Sequence, residues 1–241
     1  MSRPFSIAAA VLLAAATSAQ AQQVPADFDA AIRKYIIEHP EVILESLTTH
    51  QARQKASAQE RVRQTVAAER DELVNDASSP SVGNPKGVTI VEFFDYRCVY
   101  CKKVNDAVAQ LLETNPDVRV VYKELPILGP DSMLASKASL AAHKQGAYAK
   151  FQQALFAATQ PFTLDFIAQT ASDLGLDVNK LKADMNDPAI DEAIVRNSRL
   201  ADRLKIRATP TFVVGTETIA GALDLENLTR LVAAAKPMPA E

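Results

Sequence analysis

Cys98 and Cys101 are the only two cysteines in 241 residues, so within one chain their thiols can bond only to each other. A disulfide across two intervening residues closes a very small loop. It restrains the unfolded chain far less than the roughly 5 kcal/mol that a hundred-residue loop gives, so stapling is a poor reason for the pair. A Cys-x-x-Cys that follows a β-strand and opens a helix is instead arranged for redox exchange. Unpaired N–H groups and the positive dipole end at such a helix start favour thiolate over thiol. Cys98, placed there, is expected to sit below the free value of about 8.5 and to be the attacking sulfur. Cys101, almost one turn further on the same face and deeper, is expected to resolve the mixed disulfide. Arg97, Lys102 and Lys103 add positive charge nearby.

Two thiolates can also hold Cu(I), so a copper-handling protein is the alternative reading. Met133, Met185 and Met238 are scattered and His39, His50 and His143 are isolated, and no zinc or blue-copper ligand set is apparent. The redox reading requires no bound cofactor and no metal.

Glu92 is the lone charge within Val88-Thr89-Ile90-Val91-Glu92-Phe93-Phe94, a run that reads as a strand buried on both faces. An unpaired carboxylate is costly there, so its pKa is expected to rise. A carboxyl with so raised a pKa can exchange a proton with Cys101 as the resolving thiol is deprotonated.

The elements that must position these residues form a β-α-β unit: a strand over Val88 to Phe94, a helix over Val99 to Asn115, and an alternating second strand over Val118 to Leu125. This order implies a parallel pair with a right-handed crossover. From Asp131 to Lys205 the pattern is helical, broken near Gly146, Pro161, Gly175 and Pro188, which predicts four or five short helices. Two short β runs, Thr211 to Val214 and Glu217 to Ala220, turn at Gly215, and Leu225 to Ala235 closes as a helix before a loose tail.

Upstream, Arg3, the apolar run from Phe5 to Ala16 and Ala19-Gln20-Ala21 read as the three parts of a signal peptide, residues 1–21, with a mature chain from Gln22. A dozen apolar residues are too few to cross a hydrocarbon core of about 30 Å. The expected product is exported and soluble in an oxidising compartment, the periplasm. With 26 Lys and Arg against 29 Asp and Glu the net charge is −3, and no basic run offers a nucleic-acid footprint.

All seven glycines lie at position 83 or later, so residues 22–77 read as a separate helical arm and 78–241 as a compact domain. Phe28, Ile32, Tyr35, Ile36, Val42, Ile43 and Leu47 recur at helical steps, with His39-Pro40 ending one helix and starting another. The rest of the arm is polar, with sparse Val62, Val66 and Leu73. Such a pattern needs a cover, and self-association through residues 27–75 is expected; docking of the amphipathic part on the main domain is the alternative.

Taken together, Phe93-Phe94-Asp95-Tyr96-Arg97-Cys98-Val99-Tyr100-Cys101-Lys102, Glu92 six residues before the first cysteine, and Ala208-Thr209-Pro210-Thr211-Phe212 resemble the DsbA-like branch of the thioredoxin superfamily. The resemblance implies an α/β thioredoxin fold with a helical insertion over about residues 127–206. It also implies a cis Thr209-Pro210 bond facing the sulfurs and a substrate groove at Val99, Tyr100, Thr209 and Pro210. The activity implied is disulfide formation, reduction or isomerisation in cysteine-containing protein substrates, with a membrane redox partner resetting the pair. That family's strongly oxidising type carries a His where Tyr100 stands, so a weaker oxidant is expected. Residues 32–45 are similar to the opening segment of the suppressor-of-copper-sensitivity protein C type, some of whose members oligomerise through it.

Overall fold

The computed structural model describes residues 27–235. The expected signal peptide and the tail beyond Ala235 lie outside the described residues. The chain forms two units, one ending at Gln54 and one running from Lys55 onward.

In the first unit, helix α1 (Phe28–Glu38) stops at His39, whose N–H reaches the Tyr35 carbonyl, and helix α2 (Pro40–Ala68) begins at the proline. Pro at the first helical position loses no hydrogen bond, because that N–H has no partner inside the helix. Phe28, Ile32, Tyr35, Ile37, Val42, Ile43, Leu44 and Leu47 are all exposed.

The second unit is built on five strands: β1 (Ser81–Gly83), β2 (Val88–Phe94), β3 (Val118–Glu124), β4 (Thr211–Val214) and β5 (Glu217–Ala220), in the order β1-β3-β2-β4-β5. Only β2 and β3 run parallel, joined by helix α4 (Val99–Thr114), as the β-α-β pattern requires. Gly83 ends β1 at φ +95°, and a Cβ there would stand 2.3 Å from the Val118 carbonyl oxygen, so only glycine lets the edge strand close on β3. Five helices, α5 (Pro130–His143), α6 (Tyr148–Ala157), α7 (Leu164–Asp173), α8 (Val178–Asp184) and α9 (Pro188–Arg203), form the insertion between β3 and β4. Helix α10 (Leu225–Ala234) follows β5 and lies against α4. The result is a thioredoxin fold with a helical insertion.

Strand periodicity sorts the core into two layers. Ile90, Phe94, Val120, Tyr122, Phe212 and Val214 pack with Cys101, Val104, Val108 and Leu111 of α4 and with much of the insertion. Val91, Phe93, Val121 and Val213 face the other way and meet Leu200, Ala201 and Leu204 of α9.

That second layer corrects the boundary read at residue 77. Val66, and Leu73 and Val74 of the short helix α3 (Arg70–Val74), are buried in it, so residues 55–77 belong with the compact unit. The sparse apolar positions Val66 and Leu73 are the ones that dock, with Val62 partly buried against the same layer. Strand β3 also departs from expectation. It is a central strand buried on both faces rather than an alternating one, and its polar Lys123 and Glu124 are buried with partners. Lys123 Nζ donates to the Glu72 carbonyl at 2.7 Å, to Ser79 Oγ at 2.7 Å and to Asp76 Oδ2 at 3.3 Å.

Candidate functional site

Strand β2 ends at Phe94, and the chain then turns through Asp95, Tyr96 and Arg97 to place Cys98 as the residue capping α4. Asp95 makes the turn. Its carbonyl oxygen accepts from the Cys98 N–H at 3.1 Å, and its carboxylate accepts from the Arg97 N–H at 2.7 Å and from Ser132 Oγ at 2.7 Å. The N–H groups of Ile127 and Leu128 complete the shell at 2.8 and 3.0 Å. One side chain thus ties the loop carrying the first cysteine to the loop opening the insertion. Sequence reasoning passed over Asp95, although an aspartate two residues before a backbone donor at a strand end is a turn signal.

Both cysteines are free thiols, Cys98 with 7 % of its surface open and Cys101 with none. Cys98 Sγ donates to the Thr209 carbonyl oxygen at 3.1 Å, and the Thr209–Pro210 bond is cis. Val99 and Tyr100, between the cysteines, are 64 % and 60 % exposed. The structure therefore sets Cys98, with exposed Val99 and Tyr100 after it, against half-buried Thr209 and buried Pro210, while Cys101 has no open surface.

The nearby cations are already engaged. Arg97 pairs with Asp131 at 2.8 Å, Lys102 Nζ donates to the Ala158 carbonyl oxygen, and the Lys103 ammonium stands 5.7 Å from the Tyr100 ring centre. Their charge is partly spent on local contacts.

Glu92 lies on the α4 side of the sheet, in register with Tyr122 of β3 and Phe212 of β4, with 3 % of its surface exposed. Burial raises its pKa from 4.5 to about 8. Burial likewise pushes the Cys101 thiol up; the Asp95 backbone opposes this, while Glu92 and Cys98 add to it. The expected raised carboxyl is thus buried, and its charge acts on the Cys101 thiol. The same burial disfavours charge on both the carboxyl and the resolving thiol.

A second buried carboxyl, Glu124, was not singled out from the sequence. It accepts from Ser136 Oγ at 2.8 Å, Tyr148 Oη at 2.9 Å and Tyr96 Oη at 3.1 Å, joining β3 to two insertion helices and to the cysteine loop. Burial raises it to about 8 against the pull of those hydroxyls. Its signal was a charge at the end of an apolar strand, the same signal that marked Glu92. Among the described residues no group of three or more His, Cys, Asp and Glu is placed to hold a metal ion, and no helix is long and apolar enough to cross a membrane.

Comparison with known proteins agrees with this arrangement. The chain is 30% identical over 150 residues to the Na(+)/H(+) antiporter NhaA of Herminiimonas arsenicoxydans, which takes in 62% of this chain but only 24% of that one, so it spans about a quarter of the length of that curated relative. A thioredoxin-like oxidoreductase from Silicibacter pomeroyi matches at 39% identity and a TM-score of 0.66, covering 68% of this chain and 96% of that one. A linker-deletion mutant of Proteus mirabilis ScsC matches at 26% identity and a TM-score of 0.71, covering 88% and 96%. Residues 26–57 match the copper resistance protein ScsC N-terminal domain. Residues 89–233 match the DSBA-like thioredoxin domain, and with the thiol pair, the proline and the fold in place the chain belongs to that family of thiol–disulfide oxidoreductases.

Proposed function

We propose that this protein exchanges disulfides with cysteine-containing proteins after export to the periplasm, with Cys98 attacking, Cys101 resolving, and Glu92 handling the proton. The observation that carries this is the layering of the sulfurs: Cys98 keeps an opening beside Thr209 and exposed Val99 and Tyr100, while Cys101 has no open surface and feels the charge of buried Glu92, whose own pKa is raised.

In the reducing direction the Cys98 thiolate attacks a client disulfide. A Cys98–client bond forms, and the client's other sulfur leaves and takes a proton from water. Cys101 then passes its proton to Glu92 and attacks Cys98 Sγ. The Cys98–Cys101 bond forms, the client thiolate departs, and two electrons have moved from enzyme to client. The reverse sequence oxidises a client dithiol. A membrane redox partner returns the pair to its starting state. Half-buried Thr209 and the exposed Val99-Tyr100 edge receive an extended client segment by main-chain pairing. Tyr100 in place of a histidine makes the pair a weaker oxidant than the strongly oxidising type.

The apolar face of residues 27–54 assembles copies of the chain, displaying several thiol pairs together, which favours isomerisation over simple oxidation. The match of residues 26–57 keeps one rival in view, a carrier holding Cu(I) between the two sulfurs. Reduction of insulin by dithiothreitol separates the two. The full chain accelerates precipitation of the insulin B chain, and Cys98→Ser returns it to background; equal rates with Cys98→Ser would overturn the redox reading.

A further inference from the structure

A cavity of about 280 Å³ is lined by the residues on either side of Cys98, Arg97 and Val99, and by Lys102 one turn along α4. Its apolar part comes from Tyr96 and Phe162, two buried rings that meet edge to face with centroids 6.3 Å apart. The Tyr96 hydroxyl is taken by Glu124 at 3.1 Å, which leaves the ring. The volume falls just short of the roughly 300–1,000 Å³ of small-molecule sites, so it suits a side chain of a client better than a large cofactor. Because residues 97 and 99 belong to the turn that carries Cys98, a client joined to that sulfur has its neighbouring residues at the cavity.

Three charged side chains line this cavity: Arg97, Lys102 and Asp131. Asp131 pairs with Arg97 at 2.8 Å, and those two charges offset each other. The Lys102 ammonium donates to the carbonyl oxygen of Ala158, another lining residue, and among the described residues it has no carboxylate partner. An ammonium has three N–H donors, and a neutral carbonyl uses one of them. The cavity therefore holds one unbalanced positive charge beside an apolar floor. We propose that it is a client subsite for an acidic side chain next to the reacting cysteine, with the stem on the Tyr96 and Phe162 rings and the carboxylate on Lys102. This rests on the reading of the chain as an exchanger of disulfides with proteins, and it names a class of client, cysteines flanked by Glu or Asp. Charge complementarity of this kind selects partners, favouring acidic flanks and disfavouring basic ones.

The test uses the oxidised full chain and short peptides that carry one cysteine with Glu, Gln or Lys on its N-terminal or C-terminal side. Each second-order rate is divided by that of the same peptide with glutathione disulfide, which cancels the effect of the flanking residue on the peptide thiol itself. On one of the two sides Glu should react about threefold to fivefold faster than Gln, and Lys slower than Gln, as expected for a half-exposed ion pair. The preference should fade in 1 M salt, where charges are screened within about 3 Å. Lys102→Arg should keep the order and Lys102→Glu should reverse it; Lys102→Gln, which should erase it, serves if the charge reversal does not fold. Equal normalised rates for Glu, Gln and Lys peptides in the parent would overturn the proposal, and so would a preference for Glu that survives in Lys102→Glu or Lys102→Gln. If no peptide reacts at all, the exchange reading itself fails, and this inference with it.

Discussion

Cys98 Sγ lies 3.1 Å from the carbonyl oxygen of Thr209, a residue 111 positions later in the chain, so the start of α4 and the loop before β4 meet at the sulfur. Val99 and Tyr100 are exposed beside that sulfur, and the second sulfur has no open surface.

That layering predicts which single-cysteine variant captures clients. Cys101→Ser should accumulate mixed disulfides through Cys98 that dithiothreitol releases, whereas Cys98→Ser should capture none, because Cys101 has no open surface. Non-reducing gels of periplasmic extracts read this directly, and equal capture by both variants would contradict the assignment.

Glu92 is expected to cost stability in exchange for its chemistry. Its pKa is about 8 when folded against 4.5 for the ordinary side chain, so the folded state holds the proton across that window and the unfolded state releases it. Stability therefore falls as pH rises from 4.5 toward 8. At pH 7 the accumulated cost is about 3 kcal/mol. Glu92→Gln should recover most of it at pH 7 and almost none at pH 4, while slowing the resolving step. Urea unfolding at the two pH values checks the difference.

Lys123 makes the opposite case. It is buried and fastens α3 and the Asp76–Ser79 turn to β3. Burial acts to raise the Asp76 pKa, but the Ser78 hydroxyl and N–H, Lys123 and Ser79 outweigh it and hold the carboxyl at about 2. Lys123→Ala leaves Asp76 half-sealed without its cation, and a loss of about 3 kcal/mol at neutral pH is expected. Because the depressed Asp76 pKa stabilises the fold above about 4 and not below 2, the gap between parent and variant should close in acid. Combining Lys123→Ala with Asp76→Ala should restore part of the loss.

The exposed apolar face of the arm predicts assembly. Light scattering of residues 22–241 should give a multiple of the chain mass, and removing residues 22–54 should give a monomer with an unchanged thiol pair. Ile32→Glu with Leu47→Glu should do the same. A parent that runs as a monomer would remove the isomerase argument.

The cysteine pair, Glu92 and the β-α-β order were legible in the sequence because each is a local pattern: a spacing of three, one charge in an apolar run, and a change of period from strand to helix. Asp95 and Glu124 carried only a turn signal and a charge at a strand end, and the partners through which each acts lie far away in the chain. Asp95 serves Ile127, Leu128 and Ser132, and Glu124 gathers hydroxyls from the cysteine loop and two helices. A polar residue on a strand looks the same in sequence whether it faces water or a set of buried donors.

The sequence by itself determined the chemistry available, two thiols one helical turn apart after a buried strand, and the family that carries it. Tertiary structure alone decided that Cys98 keeps an opening beside Thr209 while Cys101 has none, which residues surround Glu92, and that residues 55–77 pack on the sheet. Spacing along the chain fixes which groups share one helix or strand face, but burial and pairing depend on what the rest of the chain lays over that face.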